Sequence, residues 1–373
     1  MKFLLTLFSF LLCFVAGNAQ TNGAFTHNGS TRTFIIYVPS TYNPNTPVPL
    51  VLVLHGLTMS GNSIMSVTGF NTLAETNHFI AVYPDGLNND WNFGGTGSSN
   101  TDDVSFLNAL IDSMATHYNI APDKLYSCGF SAGGFMSYRM ACESGRCFAA
   151  IASVSGTIGT SVYTSCTPNH LCSIMQVHGT SDFIVPYAGA VNNESVDNVI
   201  QKWIGVDNCT ATANSTNLPD NNLSDLSTVQ KIQYYPCSTN TEVLLYKVIG
   251  GGHQWPGTSS ILGGLGTINM DINASAEIWD FFSRHTCVAA SAIKPIQSNE
   301  NNWTIRTVAA KEFSIEGEIK IDAVQVYSVN GQVLFIDRPA TNRVQLNLNT
   351  FPAGLYVVRV FNKNLTQSFR VAI

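Results

Sequence analysis

Three residues of the sequence, Ser131, Asp182 and His253, are of the types that together perform nucleophilic catalysis. A serine hydroxyl attacks an acyl carbon when a histidine removes its proton, and a carboxylate holds that histidine in the required tautomer. These residue types indicate acyl-transfer chemistry, provided that the fold brings the three side chains together.

Ser131 lies within a Gly-x-Ser-x-Gly pattern at residues 129–133. The surrounding sequence predicts a strand over 124–128 and a helix over 132–142. A serine in such a strand-to-helix turn, the nucleophile elbow, exposes its hydroxyl at the helix N-terminus, and small residues must flank it. The alternative is a glycine- and serine-rich loop, which needs neither element.

Asp182 and His253 each follow a predicted strand. The strand 173–177 leads into the His-Gly-Thr-Ser-Asp segment 178–182, and the strand 243–249 leads into three glycines and His253. Open α/β sheets carry their functional groups at the carboxyl ends of strands, so we expect both side chains to meet the serine there. The alternative is a turn role for the aspartate and a structural role for the histidine.

Acyl transfer also needs an oxyanion hole, in which N–H groups stabilise the charge that develops on the carbonyl oxygen. The backbone N–H of Ala132 is the first predicted donor. The second is the N–H of Leu57, which follows the predicted strand 48–54, and His55 is expected to support that loop.

Trp91 and Trp255 are candidates for a substrate-binding wall, because an aromatic acyl group or a sugar would pack on an indole ring. The alternative for both is packing in the core. No cysteine pair has the Cys-x-x-Cys spacing of a zinc site, and we expect neither a metal nor a cofactor.

Strands and helices alternate through the middle of the chain. Further strands are predicted over 33–38, 78–83 and 148–154. One further helix is predicted to begin at Asp102 or Asp103, and another to span 274–285. This alternation predicts an α/β domain over residues 21–287, with a mostly parallel sheet and helices on both faces.

The sequence changes character after Cys287. Residues 288–302 are small and polar and are predicted to be a linker. Residues 303–373 show only short strands, one of which ends in the hairpin dipeptide Asn-Gly at 330–331. These residues are predicted to form a separate small all-β sandwich.

Residues 1–20 are predicted to be a secretory signal peptide, with a lysine, an apolar run and a cleavage site near Ala19 or Gln20. The apolar run over 3–16 is shorter than the ~20 residues of a membrane span, so we expect no integral membrane segment. Cys13 would leave with this peptide.

Eight of the nine cysteines remain after cleavage, and an even number in an exported protein favours disulfides. Cys142–Cys147 and Cys166–Cys172 are candidate local bridges, and Cys209–Cys237 is the favoured pair, which leaves Cys128 and Cys287 paired or free. The sequence alone does not determine this connectivity.

Charged residues make up 11% of the chain, and the formal net charge is −6. No stretch is rich in Lys or Arg, so a nucleic-acid partner is not expected. Hydrophobic residues make up 45%, which suffices for a core and argues against long disorder. We expect a monomer.

These segments resemble the secreted esterases of carbohydrate esterase family 1, which groups feruloyl and acetylxylan esterases with polyhydroxybutyrate depolymerase-type enzymes. The matching motifs lie within residues 25–287. In chain order they are Leu54-His55-Gly56, Tyr83-Pro84-Asp85-Gly86 with Trp91, Asp102-Asp103-Val104, Gly-Phe-Ser-Ala-Gly-Gly, His-Gly-Thr-x-Asp and Gly-Gly-Gly-His-x-Trp-Pro-Gly.

The resemblance implies an α/β-hydrolase fold, in which a three-layer sandwich carries a serine, aspartate and histidine in this chain order. It also implies that no metal is used and that the substrate is a carboxylic ester on plant cell-wall polysaccharide or on a polyester. The sequence departs from many depolymerase-type relatives at Leu57, where they have a cysteine.

The last 70 residues resemble the type A sorting domain of the type IX secretion system of Bacteroidetes. The resemblance rests on Val326-Tyr327, the Asn-Gly-Gln-Val segment 330–333 and Gly354-Leu355-Tyr356-Val357-Val358. It implies contact with the secretion machinery and export across the outer membrane. The alternative is a small polymer-binding sandwich, which should display a row of exposed aromatic residues.

The sequence therefore predicts a secreted serine esterase that acts on feruloyl or acetyl esters of plant polysaccharide such as xylan. The alternatives are an extracellular polyhydroxybutyrate depolymerase, which would need an exposed apolar patch, a serine peptidase, and a non-catalytic binding protein.

Overall fold

The computed structural model describes residues 19–95, 97–210, 212–258, 264–287, 303–309, 311–328, 333–352, 354–362 and 365–373. The apolar run of the predicted signal peptide and the predicted linker 288–302 lie outside these residues. The chain divides into two compact units, 1–292 and 293–373. Among the described residues, no helix has the length and apolar character that crossing a membrane requires.

The first unit contains a ten-stranded sheet. Its strands are β1 (Gln20–His27), β2 (Ser30–Tyr37), β3 (Val48–Leu54), β4 (Ile80–Pro84), β5 (Ile120–Phe130), β6 (Ala150–Val154), β7 (Ser173–Gly179), β8 (Ala213–Asn217), β9 (Thr228–Tyr234) and β10 (Val243–Ile249). Their order is β1-β2-β4-β3-β5-β6-β7-β10-β9-β8. The six central strands, from β4 to β10, are parallel, and two antiparallel strands extend each side.

Helices cover both faces of this sheet. They are α1 (Gly61–Thr68), α2 (Phe70–Asn77), α3 (Asp103–His117), α4 (Ala132–Glu143), α5 (Thr160–Ser165), α6 (Val196–Val206) and α7 (Ala274–Ser283), with short 3-10 helices at Leu87–Asn89 and Ser238–Asn240. Residues of α3, α4 and α6 pack in one core cluster and residues of α1, α2 and α7 in another. The predicted three-layer α/β-hydrolase fold is confirmed.

Strand β3 shows how the centre of the sheet is buried on both faces. Leu50, Leu52 and Leu54 belong to the cluster on one face, Val51 and Val53 belong to the cluster on the other, and all five are fully buried. Side chains of a strand alternate between faces, so a continuous apolar run is what a strand covered on both faces requires. Burial of each such side chain contributes roughly 1.5–3 kcal/mol.

Three disulfides join described residues of the first unit: Cys142–Cys166, Cys147–Cys287 and Cys209–Cys237. The predicted Cys209–Cys237 bridge is confirmed. Cys128, which the sequence left open, is a buried free thiol.

The two predicted local bridges are wrong. Cys142 lies at the end of α4 and pairs with Cys166, just after α5, while Cys147 pairs with Cys287, which lies 140 residues away. Cys172 is a buried free thiol. Closeness along the chain does not by itself bring Cβ atoms together: strand β6 and helix α5 lie between Cys142 and Cys166 in the sequence, yet these two cysteines form the bridge.

The second unit contains two antiparallel sheets. One has the order β11-β12-β15 and the other β14-β13-β16-β17, where the strands are β11 (Trp303–Ala309), β12 (Glu312–Ile321), β13 (Ala323–Ser328), β14 (Val333–Asp337), β15 (Thr341–Asn347), β16 (Leu355–Asn362) and β17 (Leu365–Ala372). Trp303 and Tyr356 are buried in its core. The predicted all-β fold is confirmed, and the Asn-Gly turn at 330–331 lies outside the described residues.

Candidate active site

Ser131 occupies the turn between β5 and α4. Its backbone has φ +52° and ψ −119°, a conformation that residues with a side chain rarely adopt and that costs on the order of 1–3 kcal/mol. Strain of this kind persists only where the surrounding structure enforces it, and here it places a serine at the N-cap, immediately before the first turn of a twelve-residue helix. The turn has the form predicted for a nucleophile elbow.

Two glycines of the elbow are required by close backbone contacts. A Cβ on Gly129 would lie 2.3 Å from the carbonyl carbon of Gly133, and a Cβ on Gly133 would lie 2.1 Å from the carbonyl oxygen of Leu54. Any side chain at either position would force β3, β5 and α4 apart. The pattern around Ser131 is therefore explained by packing of the turn against the neighbouring strand.

Asp182 and His253 form a buried hydrogen-bonded pair. His253 Nδ1 lies 2.8 Å from Asp182 Oδ2, and both side chains are almost completely buried. The other oxygen, Oδ1, accepts hydrogen bonds from the backbone N–H groups of Ile184 at 2.9 Å and Val185 at 2.8 Å. These two bonds fix the rotation of the carboxylate, so that Oδ2 faces the imidazole.

The loops after β7 and β10 bring this pair together by direct backbone contact. Thr180 N–H donates to the carbonyl of Val248, and Ser181 N–H donates to the carbonyl of Gly251. A Cβ on Gly179 would lie 2.2 Å from the Gly251 carbonyl oxygen. The glycines before His253 and after His178 therefore allow the two loops to approach closely enough for their polar side chains to bond.

The residue before Ser131 in the chain contacts this pair. The ring centroid of Phe130 is 4.9 Å from that of His253, and Ser155, next to the end of β6, donates to the Gln254 carbonyl. Within the part of the chain that the structure describes, the Ser131 hydroxyl forms no hydrogen bond. The bond from Ser131 to His253 stays a prediction; such catalytic bonds often tighten only when substrate binds.

A cavity of about 490 Å³ opens at Ser131. Its lining residues are Leu57, Phe93, Ser131, Ala132, Phe135, Ile184, Val185, Ala190, Val191, Asn192 and Asn193. Ser131, Ala132 and Leu57 therefore share one cavity, as an oxyanion hole beside a nucleophile requires. The assignment of the two N–H donors stays a prediction.

His55 supports the loop that carries Leu57. Its Nδ1–H donates to the Gly56 carbonyl at 2.7 Å, and its Nε2 accepts the N–H of Gly86 at 2.9 Å. Burial lowers the pKa of His55, which keeps the ring neutral, and the Gly86 N–H, which can only donate, places the ring proton on Nδ1. The ring has no unused nitrogen for catalysis, so its role is to hold the loop.

Neither predicted tryptophan lines the cavity. Trp91 is fully buried, its ring lies 4.9 Å from that of His55, and its Nε1–H donates to the His55 carbonyl. Trp255 is also buried and donates to Ser275 Oγ. Both indoles are core residues, so we no longer assign them to substrate binding; a position beside a motif does not reveal which way a side chain points.

Phe93 and Phe135 are cavity residues that the sequence analysis missed. Their ring centroids are 5.1 Å apart, and both rings line the cavity beside Ser131. Phe135 lies on the first turn of α4, so its spacing of four residues from the serine could have indicated it. Together these phenylalanines form an aromatic wall.

A buried ion pair holds the segment that carries Phe93. Asp103 Oδ1 bonds the guanidinium of Arg32 at 2.7 Å, and Oδ2 accepts the N–H of Asn92 at 2.7 Å. Arg139 of α4 donates to the Asn92 carbonyl. The segment before Phe93 is thus clamped on both sides, and the Asp-Asp motif could have indicated this: Asp102 caps α3 while Asp103 anchors the wall.

The mouth of the cavity is apolar and exposed. Leu57, Ile184 and Val191 line the cavity and are 47%, 50% and 83% exposed, and Phe183, next to Ile184, is 61% exposed. Exposed apolar residues in a group, unlike scattered ones, mark a surface that contacts a partner or substrate.

Two family models match this chain. Residues 26–257 match the Esterase family model, and residues 309–373 match the model of the secretion system C-terminal sorting domain. A bifunctional acetylxylan esterase/xylanase of Neocallimastix patriciarum is 29% identical over 264 residues, which cover 69% of this chain and 34% of that protein. The chain thus spans about a third of that relative's length.

Feruloyl esterase D of Neurospora crassa is 27% identical over 273 residues, which cover 69% of this chain and 83% of that protein. Among solved structures, the acetyl xylan esterase from Aspergillus awamori aligns with a TM-score of 0.50 at 15% identity. The alignment covers 71% of this chain and 99% of that one. At this identity, the likeness shows a shared fold.

Proposed function

Because the chain belongs to the esterase family, we propose that it is a secreted serine hydrolase that cleaves carboxylic esters with Ser131, His253 and Asp182. The observation that carries the proposal is the buried Asp182–His253 bond of 2.8 Å beside a strained serine elbow at a cavity. The sorting domain indicates export, so the substrate is met outside the cell.

In the proposed mechanism, Ser131 Oγ attacks the ester carbonyl carbon while His253 Nε2 takes the hydroxyl proton. The N–H groups of Leu57 and Ala132 stabilise the negative charge on the carbonyl oxygen. The tetrahedral intermediate then breaks its bond to the alcohol oxygen, which receives the proton from His253. Asp182 remains ionised and stabilises the imidazolium.

The acyl group is now esterified to Ser131, and a water molecule replaces the alcohol. His253 removes a proton from this water as its oxygen attacks the acyl carbon. The second tetrahedral intermediate releases Ser131, which regains its proton from His253, and the free carboxylic acid leaves. The cycle consumes one water and restores the enzyme.

The substrate class that the site favours is a feruloyl or acetyl ester of plant polysaccharide. The names of the two relatives, an acetylxylan esterase/xylanase and a feruloyl esterase, support this class. A cavity of about 490 Å³ is in the size range that encloses drug-sized ligands, and an acetyl group fills little of it. Together with the Phe93–Phe135 wall, this size favours an aromatic acyl group.

Polyester depolymerisation is a second candidate, and one observation favours it. The exposed apolar residues Leu57, Phe183, Ile184 and Val191 at the cavity mouth are the kind of patch that an apolar polymer surface would cover. A polysaccharide backbone, which is rich in hydroxyl groups, does not need them.

A substrate panel tests the proposal. The mature full-length protein is assayed on methyl ferulate, acetylated xylan, p-nitrophenyl acetate, a polyhydroxybutyrate film and a peptide substrate. We expect the highest kcat/KM on methyl ferulate and loss of all ester turnover in Ser131→Ala. Film clearance without ferulate release would favour the polyester candidate, and peptide turnover without ester turnover would contradict the proposal.

A further inference from the structure

A buried chain of polar side chains connects the nucleophile helix to the aspartate of the proposed triad. Tyr138 of α4 donates its hydroxyl to Gln176 Oε1 at 2.8 Å, and Gln176 Nε2 lies 3.0 Å from His178 Nδ1. His178 Nε2 lies 2.8 Å from the Val185 carbonyl oxygen and 3.5 Å from Asp182 Oδ2. The residues Tyr138, Gln176 and His178 are essentially inaccessible to solvent.

The partners determine the protonation of His178. The amide nitrogen of Gln176 donates to the Gly156 carbonyl at 2.7 Å and to His178 Nδ1, so Nδ1 must be an acceptor and the proton resides on Nε2. Burial lowers the pKa of His178, which keeps the ring neutral. His178 therefore presents a single N–H group, without a positive charge, to the Val185 carbonyl and the Asp182 carboxylate.

We propose that His178 is a positioning residue for the catalytic aspartate, a role that rests on the proposed function. Its Nε2–H holds the Val185 carbonyl, and the N–H of Val185 holds Asp182 Oδ1 at 2.8 Å. The same Nε2–H faces Asp182 Oδ2, the oxygen that bonds His253 at 2.8 Å. One imidazole thus fixes both Val185, which lines the cavity, and the carboxylate of Asp182.

This arrangement also predicts an effect on His253, the proposed general base. The N–H dipole of His178 offsets part of the carboxylate charge that His253 experiences. Two further titratable groups lie beside His178: the Tyr187 ring stands edge-on, 6.0 Å from the His178 ring, and the Lys247 ammonium lies 4.9 Å from the centre of the Tyr187 ring. Loss of the His178 donor therefore strengthens the field of Asp182 at His253 and favours the protonated imidazole.

Two polar substitutions separate positioning from simple structural support. His178→Gln retains an N–H donor that reaches the place of Nε2, whereas the shorter amide of His178→Asn reaches only the place of Nδ1. We expect His178→Asn to lower kcat on p-nitrophenyl acetate at least ~10-fold with KM within about twofold. The acid limb of the pH–rate profile of His178→Asn should move to a higher pH by about half a pH unit. His178→Gln should stay within about threefold of wild type, with its acid limb unmoved.

Equal losses in both variants, with unmoved acid limbs, would overturn the proposal and leave His178 a packing residue. If His178→Asn does not fold, as judged by circular dichroism, the apolar His178→Met provides the same comparison with His178→Gln. Failure of the proposed function is distinguished by Ser131→Ala: if that variant keeps its activity, the triad itself is wrong, whatever the His178 variants do.

Discussion

Replacement of Asp182 by asparagine tests how the aspartate controls its histidine. Asp182 Oδ1 accepts two backbone N–H groups, and Oδ2 faces His253 Nδ1 and His178 Nε2. In Asp182→Asn the amide oxygen must keep the two backbone donors, so the amide NH2 group turns towards His253. Nδ1 of His253 then has to accept a hydrogen bond, and its proton moves to Nε2.

The size of the effect follows from these contacts. Turning the amide the other way would lose two buried hydrogen bonds and place NH2 against two N–H groups, which costs at least about 3 kcal/mol. Less than about one molecule in a hundred would therefore hold His253 in the active tautomer. Loss of the charge that stabilises the imidazolium adds to this, and asparagine substitution in a serine protease triad lowers kcat by about 10⁴.

The assay is steady-state hydrolysis of p-nitrophenyl acetate by wild type and Asp182→Asn at pH 7, with thermal denaturation of both proteins. We expect kcat to fall by 10³ to 10⁴, or about 4 to 5 kcal/mol, while KM changes little. Asp197→Asn, an exposed aspartate of α6, is the matched control and should retain wild-type kcat. A loss below tenfold in a folded Asp182→Asn would refute this reasoning about the tautomer.

Three further perturbations probe the wall, the elbow and a buried acid. Phe93→Ala should lower kcat/KM for methyl ferulate by tenfold or more, while kcat/KM for p-nitrophenyl acetate should stay within about threefold of wild type, because only the aromatic acyl group contacts the ring. Equal losses of kcat/KM on both substrates would show that Phe93 does not contact the acyl group. Ser131→Gly should abolish turnover yet unfold at a higher urea concentration than Ser131→Ala, because glycine adopts φ +52° without strain; the opposite order would argue against strain at the elbow. Burial raises the pKa of Asp207 to about 8, so the folded protein binds a proton that the unfolded chain has released above pH 4. The free energy of unfolding contributed by this group therefore falls from pH 4 to pH 8, and Asp207→Asn should be more stable than wild type at pH 7 by up to about 4 kcal/mol, with the difference vanishing near pH 4. If urea denaturation gave the same difference in free energy of unfolding between the two proteins at pH 4 and at pH 7, the raised pKa of Asp207 would be contradicted.

The sequence allowed prediction of those parts of the fold that depend on continuous local patterns. The bounds of β3 and β10 match the predicted 48–54 and 243–249, because both strands are apolar runs closed by turn residues. Helix α4 begins at Ala132 as predicted, since the elbow pattern fixes its first residue. The Asp182–His253 bond was also within reach, because both residues follow strands that lie side by side in the parallel sheet.

The features that depend on which side chains meet in space could not be predicted in the same way. The partner of Cys147 lies 140 residues away, and nothing in the spacing of the cysteines reveals it. Phe93 is a wall residue because Asp103 and Arg139, on other elements, hold the backbone beside it. Trp91, two residues earlier, points into the core instead, although its type made it the more attractive candidate.

Covalent labelling of the nucleophile tests the central claim most directly. The full-length protein is treated with a fluorophosphonate, residual activity on p-nitrophenyl acetate is measured, and the modified peptide is identified by mass spectrometry. We expect one label per chain, on Ser131, with activity lost in proportion to labelling and no label in Ser131→Ala. A label on a different residue that accompanies the loss of activity, or wild-type turnover in Ser131→Ala, would contradict the account.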